Sequence, residues 1–301
     1  MTPLPTLRQL QFFMALVRRA SFSKAAEECL VSQSTLSSAI KEMETLLDQQ
    51  LVDRSTRAFA LTPAGEEVAA RAPAILAGTE DLARAASGRR PLEGAFHLGV
   101  IPTVAPFILP RAAMRLHEAY PKLELFLRED LTAALAERLA AGLIDAALLA
   151  LPYDLPGAEI VEIGDDPFWF ACNADHRFAK RRKLAKEDLK DCELLLLEDG
   201  HCLREHALDA CEISERGNNA SFDGTSLFTL AQMARSGLGA TLLPDMAVKE
   251  GLADAAGLVA VPFEKPAPSR KIGVAWRKGS GRGEEARAIA EIIKEILNET
   301  K

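Results

Sequence analysis

Two amphipathic helical segments joined by almost nothing constrain this chain more than any other feature. Ser23 is placed to cap a short helix running to Leu30, and Ser32 to cap a longer one running to about Leu47. The longer segment carries an apolar stripe of Leu36, Ile40, Met43 and Leu47, spaced as one helix face requires. Only Val31 and the capping serine lie between the two, which is a helix-turn-helix connection. Before them, residues 7 to 18 read as a helix with Leu10, Phe13 and Val17 on one face. After them, residues 51 to 61 read as a small hairpin, or wing, with Arg54 and Arg57 near its turn. Opposite the stripe, the longer helix offers Gln33, Ser34, Thr35, Ser38 and Lys41.

Thr62-Pro63 marks a further helix start, a capping hydroxyl followed by proline at the first helical position. From there to about Ser87 a seam of Val68, Ala72, Ile75, Thr79, Leu82 and Ala86 has the pattern of a pairing helix, with Pro73 expected to kink or weaken it. Gly88-Arg89-Arg90-Pro91 reads as a hinge. Strand and helix patterns alternate beyond it: strands over 96–101, 123–128 and 146–151, helices over 104–118 and 131–143. A second unit begins near Pro167, with strands over 168–172, 194–197 and 258–261 and a helix over 226–235. A strand over 272–276 and a helix over 284–297 complete an α/β pattern.

At 301 residues the chain has room for two or three compact units, and 48% hydrophobic with 26% charged residues is globular composition. No apolar run approaches membrane-spanning length, and Met1 to Thr6 lack a basic segment followed by an apolar one. A cytoplasmic protein with no membrane partner is expected. Net charge is +1 over residues 1–60 and −8 over the remainder. Any DNA binding must therefore come from placed side chains and paired subunits, not from bulk charge. Five cysteines fit a reducing compartment, where a disulfide is transient.

Cys202 and Cys211 lie nine positions apart in the stretch from Glu198 to Cys211. His201 precedes the first thiol and Arg204 follows two residues later, and nearby positive charge favours the reactive thiolate. The second thiol can resolve an oxidised first one into a disulfide. The spacing is neither that of a Cys-x-x-Cys motif nor that of a zinc-ligand set. Cys29, Cys172 and Cys192 read as packing thiols, and His97, His117 and His176 are scattered, so no metal site and no cofactor are expected. His206, four residues after Cys202, is expected on a solvated helix face.

Residues 21–26 (SFSKAA), 31–37 (VSQSTLS), Arg54 and residues 61–65 (LTPAG) resemble the winged helix-turn-helix of LysR-type transcriptional regulators. The chain departs from that pattern at Ser34, where proline is usual, at Met43, where leucine is, and at Asp48, where glycine is. Residues 98–106 (LGVIPTVAP), 197–204 (LEDGHCLR) with Cys211, 225–227 (TSL), 242–244 (LLP) and 270–273 (RKIG) extend the resemblance to the peroxide-sensing activators of that family, with Glu205 in place of aspartate.

The resemblance implies an α/β protein with an N-terminal winged helix-turn-helix over 1–62 and a dimerising linker helix and hinge over 63–90. It implies a periplasmic-binding-protein-like regulatory domain over 91–301, of subdomains 91–165 with 268–301 and 166–267. It further implies Cys202 as the thiol that meets peroxide and Cys211 as its resolving partner. Thr103, Thr132, His201 and Arg270 would form the peroxide pocket. Gln33, Ser34, Thr35 and Ser38 would reach base edges, with Lys41, Arg54 and Arg57 on phosphate. Thr103 has an alternative use as the cap of the helix beginning near Val104. Double-stranded DNA, hydrogen peroxide, a second copy or three further copies of the chain, RNA polymerase and a cellular thiol reductant are the implied partners. A helix joining the two thiols would hold their Cα atoms roughly 13 Å apart, against about 5.5 Å in a disulfide, so oxidation would have to refold it. Two rivals stand beside this reading: a regulator of the same family that binds a small organic anion between its subdomains, and a thiol peroxidase, which the helix-turn-helix disfavours.

Overall fold

The computed structural model describes residues 4–53, 59–86, 91–211, 223–224 and 226–299. It divides into two compact units, residues 1–88 with 140–143 and residues 89–139 with 144–301.

In the first unit, α1 (Leu7–Arg19), α2 (Phe22–Glu28) and α3 (Gln33–Leu47) precede a two-strand ladder of β1 (Val52–Asp53) and β2 (Ala60–Leu61), and α4 (Pro63–Ala86) follows. Thr6 opens α1 with a reciprocal cap. The Gln9 amide donates to Thr6 Oγ1 at 3.2 Å and the Thr6 amide donates to Gln9 Oε1 at 2.9 Å. Ser32 caps α3, accepting from the Thr35 amide at 3.1 Å. Ser21 caps α2, not Ser23: residue 21 has the extended backbone a cap needs, whereas residue 23 is already in the first turn. Asp48 ends α3 at φ 50, a left-handed conformation that a short polar side chain tolerates better than most.

Leu36, Ile40 and Met43 of the α3 stripe are fully buried against Leu10, Phe13 and Leu16. Glu44, also buried, accepts from the amides of Leu51 at 2.9 Å and Val52 at 3.2 Å, which ties the start of the ladder to α3. A Cβ on Gly65 would lie 2.1 Å from the Leu51 carbonyl oxygen, so α4 can approach here only with glycine. Val68, Ala69, Ala72 and Leu76 of α4 pack on the same core, whereas Ile75 and Leu82 are exposed. The helix runs unbroken through Pro73.

The second unit continues with β3 (Gly94–Val100), α5 (Ala105–Ala119), β4 (Leu123–Glu129), α6 (Thr132–Ala140), β5 (Ala146–Leu151) and the long β6 (Ala158–Cys172). Then come β7 (Leu194–Leu197), α7 (Cys202–Cys211), β8 (Asp223–Gly224), α8 (Leu227–Arg235) and β9 (Ala240–Pro244). The chain ends with α9 (Asp245–Lys249), α10 (Leu252–Ala256), β10 (Val259–Pro262), β11 (Ser269–Arg277) and α11 (Gly283–Glu299). The strands form a ladder in the order β4-β3-β5-β11-β6-β9-β7-β8, with β10 also on β6.

This is the mixed α/β architecture the sequence predicts. β3 is parallel to β4 and β5, and every residue of β5 is buried, as a central strand covered on both faces requires. β6 pairs with β11 from Ala158 to Pro167 and with β9 and β10 from Phe168 onward. Sequence patterning detected only its second half. The first half mixes Glu159, Glu162 and Asp165 with Ile160, Val161 and Ile163 in no regular alternation, and Ile160 is exposed, so it lacks a clean period-2 apolar signal. Entry to this unit is fixed by buried Arg282, which donates to Asp145 at 3.0 Å and to the Ala95 carbonyl at 2.6 Å and pairs with Glu285. Glu285 in turn accepts from the Leu92 amide at 2.9 Å.

Candidate functional site

The four leucines of β7 are buried and deliver Glu198-Asp199-Gly200-His201 to the start of α7. Gly200 sits at φ +95, a left-handed turn that glycine makes without strain. Arg204 then fastens the helix to the strand end: Nη1 donates to the Leu197 carbonyl at 3.1 Å and Nε pairs with Asp199 at 3.1 Å. Its charge is thus engaged at the strand end. The positive charge that acts on the neighbouring thiol comes instead from Arg270 and His206.

Cys202 is the first residue of α7 and Cys211 the last, both buried and both free thiols. Nine helical steps separate their Cα atoms by roughly 13 Å. The two thiols differ chemically. Burial pushes the Cys211 thiol up to about 12. Burial also pushes the Cys202 thiol up, but His206, Arg270 and Thr132 together outweigh it and hold the group below the ordinary thiol range. The N-terminus of α7 adds a favourable dipole.

Arg270 lies at the start of β11, fully buried. Its Nε donates to Asp166 Oδ2 at 2.9 Å, Nη1 to Thr103 Oγ1 at 2.8 Å and Nη2 to the Thr103 carbonyl at 3.1 Å. The other oxygen of Asp166 accepts from the Met246 amide at 3.1 Å. Burial pushes the Asp166 carboxyl above its usual range, with Arg270 pulling against it. Thr103 does not cap α5, whose cap is Val104 with no side-chain bond, so the alternative use for Thr103 is overturned by its bond to Arg270. Thr132 opens α6, and its Oγ1 is buried without a hydrogen-bond partner.

Cys202, Thr132, Arg270 and Thr103 therefore come together. His201 stands apart from them in its electrostatics: Nε2 lies 4.0 Å from Glu198 Oε1, and burial holds the imidazole below its ordinary range. His206 also belongs to this group. The side chain is buried, not solvated, because Cys202 and His206 at i and i+4 share the inward face of α7. Nε2 meets the Pro152 carbonyl oxygen at 3.1 Å, while Nδ1 is buried without a partner. Burial pulls this imidazole down, but Cys202 and Pro152 outweigh it and raise it. The i, i+4 spacing to Cys202 was the signal in the sequence that marks it.

The remaining thiols are placed differently. Cys172 is buried on β6, pushed up to about 11 by burial, and Cys192 accepts from Arg177 Nη2 at 3.6 Å. Cys29 is half-buried in the first unit.

In the first unit, Gln33, Ser34, Thr35, Ser38 and Lys41 are all exposed on the face of α3 opposite its buried stripe. The Ser23 hydroxyl donates to Gln33 Oε1 at 2.9 Å, and Ser34 and Thr35 bond Ser32 Oγ at 2.9 and 2.7 Å. Arg54, Arg57 and Thr225 lie outside the described residues. Among the described residues no helix is long and apolar enough to cross a membrane.

The family model described as the LysR substrate binding domain matches residues 89–298, and that of the bacterial regulatory helix-turn-helix proteins of the LysR family matches residues 7–66. The HTH-type transcriptional regulator EstR of Acinetobacter baylyi is 40% identical over 297 residues, 98% of this chain and 98% of that protein. A probable hydrogen peroxide-inducible genes activator of Streptomyces viridosporus is 38% identical, covering 98% of this chain and 95% of its own. Among solved structures, full-length OxyR from Pseudomonas aeruginosa with a cysteine-to-aspartate substitution matches with a TM-score of 0.81 at 32% identity, covering 97% of this chain and 98% of that one. The chain belongs to the LysR family of DNA-binding transcriptional regulators, a family of regulators and not of enzymes, and within it resembles the peroxide sensor OxyR.

Proposed function

We propose that this chain is a hydrogen-peroxide-sensing transcriptional regulator switched by oxidation of Cys202 and its disulfide with Cys211. The environment of Cys202 carries the reading. The thiol is held below its ordinary range beside an unpartnered buried hydroxyl, at one end of a helix whose other end bears a second free cysteine. The names of the Streptomyces viridosporus relative and of the matched OxyR structure support the same reading. The Cys202 thiolate attacks one peroxide oxygen, the S–O bond forms as the O–O bond breaks, and hydroxide leaves to become water. Cys211 then attacks the sulfenic sulfur and displaces a second hydroxide. Thr103, Thr132 and Arg270 hold peroxide and stabilise the charge that develops on it. Bridging needs Cα atoms about 5.5 Å apart, so α7 must refold.

In this reading residues 1–62 bind double-stranded DNA through α3, with Gln33, Ser34, Thr35 and Ser38 at base edges and Lys41, Arg54 and Arg57 on phosphate. Residues 63–90 pair subunits through exposed Ile75 and Leu82, and residues 91–301 sense, as subdomains 91–165 with 268–301 and 166–267. Refolding of α7 changes how regulatory units pair in a dimer or tetramer. That re-spaces the DNA-binding units, with RNA polymerase as the downstream partner and a cellular thiol reductant resetting the bridge. A small organic anion is the weaker signal, because Arg270, the buried cation beside Cys202, is already neutralised by Asp166.

Peptide mapping after one equivalent of peroxide, with residual thiols blocked, tests the reading. The expected product is a Cys202–Cys211 bridge. Cys202→Ser abolishes the response, and Cys211→Ser leaves a sulfenic acid at residue 202. A dominant bridge through Cys29, Cys172 or Cys192 refutes it.

A further inference from the structure

We infer that His206 is the proton carrier of the peroxide reaction: its Nδ1 takes the Cys202 thiol proton and returns it to the departing hydroxide. The inference rests on the peroxide-sensing reading above and assigns its acid–base step to one residue. The Pro152 carbonyl oxygen 3.1 Å from Nε2 can only accept, so Nε2 must carry a hydrogen. In the neutral ring that leaves Nδ1 as the bare acceptor, and Nδ1 is the buried atom without a partner. The residue is more than nine-tenths buried, one helical turn from Cys202 on the same inward face. Each of the two groups shifts the other's titration, the thiol downward and the imidazole upward, as a proton-sharing pair does.

Among the described residues, the other imidazole beside Cys202 is His201, whose Nε2 lies 4.0 Å from Glu198 and which burial holds below its ordinary range. From β11, Arg270 faces the pair with its counter-ion Asp166 of β6, and a guanidinium keeps its protons at every working pH. Thr132 of α6 contributes a hydroxyl, and β7 contributes only leucines. On α7 itself Glu205 and Asp209 are exposed, and Arg204 is engaged by Leu197 and Asp199. The step balances. The thiol proton passes to Nδ1, the sulfur attacks one oxygen of hydrogen peroxide, and the S–O bond forms as the O–O bond breaks. The Nδ1 proton then neutralises the leaving hydroxide. Thiol plus peroxide gives sulfenic acid plus water, with sulfur oxidised, peroxide oxygen reduced and His206 returned neutral.

The test is rapid-quench oxidation of the full-length reduced protein across pH 5 to 9, with residue 202 followed by thiol labelling and mass spectrometry. Wild type should give a bell-shaped profile, rising as the thiolate–imidazolium pair forms and falling as His206 loses its proton. His206→Gln keeps a donor for Pro152 but carries no titratable proton. Its rate near neutral pH should drop at least about 100-fold, with the descending limb lost. Added imidazole should restore much of the rate in His206→Gly, which a purely packing role would not allow. Should these variants fail to fold, histidine NMR of wild type against Cys202→Ser decides: one imidazole should titrate lower once the sulfur is gone. A His206→Gln protein that oxidises at Cys202 with wild-type rate and profile overturns the inference, as does an NMR titration in which no histidine responds to Cys202→Ser. A wild type in which Cys202 resists peroxide at every pH instead fails the peroxide reading, and this assignment with it.

Discussion

Replacing Arg270 with alanine removes three donors at once: the bond to Asp166 and both bonds to Thr103. Asp166 keeps only the Met246 amide, with its carboxylate still in the interior. Breaking a buried pair from one side costs about 3–5 kcal/mol, because the remaining charge is uncompensated. For a unit of this size that lowers Tm by roughly 6–20 °C. The loss should also depend on pH. Burial already pushes the Asp166 carboxyl up, and without Arg270 only the Met246 amide pulls it back. A carboxyl whose folded pKa stands above its unfolded value binds its proton more tightly in the folded state. Its contribution is therefore present at acid pH and is lost as pH rises from about 4 through the folded value. Urea unfolding at pH 5 and pH 8 measures the difference, with the variant closer to wild type at pH 5. Arg270→Met combined with Asp166→Leu should recover most of the loss, since an apolar pair of similar volume leaves no charge behind. Equal destabilisation at both pH values, or no recovery in the double variant, would show that the uncompensated carboxylate is not the cause. Independently, Arg270→Ala should raise the Cys202 thiol and slow its alkylation at neutral pH, because one of the groups holding it down is gone.

Thr132→Val removes a buried hydroxyl that has no protein partner, so stability should hold or rise by about 1 kcal/mol, while peroxide oxidation of Cys202 slows; thermal melts with stopped-flow rates check both. Glu44→Ala strips two buried amides of their acceptor and should cost about 1–3 kcal/mol of unfolding free energy, whereas Glu44→Gln, keeping an acceptor oxygen, should cost less. Lys41→Ala should weaken binding to all operators alike and flatten its salt dependence, whereas Gln33→Ala should change base preference; fluorescence anisotropy over an operator panel at several salt concentrations separates the two.

The parts legible in the sequence are those where burial follows a regular period. The stripe Leu36, Ile40 and Met43 is a helix face in the sequence and a buried face in the fold. The leucines of β7 read as a strand because an unbroken apolar run with turn residues on both sides has few alternatives. The first half of β6 was not legible, since its acidic residues interrupt any regular alternation and its pairing with β11 joins residues about a hundred positions apart. The same limit governs the site. Periodicity places Cys202 and His206 on one face of a helix but does not say whether that face turns inward. Only β7, β11 and α6 closing over it decide that His206 meets the thiol and that Arg204 meets Leu197 instead.

On the proposed peroxide-sensing reading, the contrast between the two thiols would keep the site reduced until peroxide arrives. α7 has ten residues, too few to persist as an isolated helix, so it is held by burial of Leu203, Ala207 and Leu208 and by the Arg204 contacts at its start. While it is intact, Cys211 is both out of reach and poorly nucleophilic, its thiol pushed up by the same burial that stabilises the helix. Opening α7 removes both restraints together, since exposure lowers the thiol and frees the chain to approach Cys202. In the proposed switch, oxidation of Cys202 would favour that opening, because it would place a bulkier, polar sulfenic group in a close-packed pocket and weaken the hold of the first turn. In the proposed switch the packing then sets the order of events: the low thiol would react first in the folded helix, and the high thiol would become reactive only when the helix gives way.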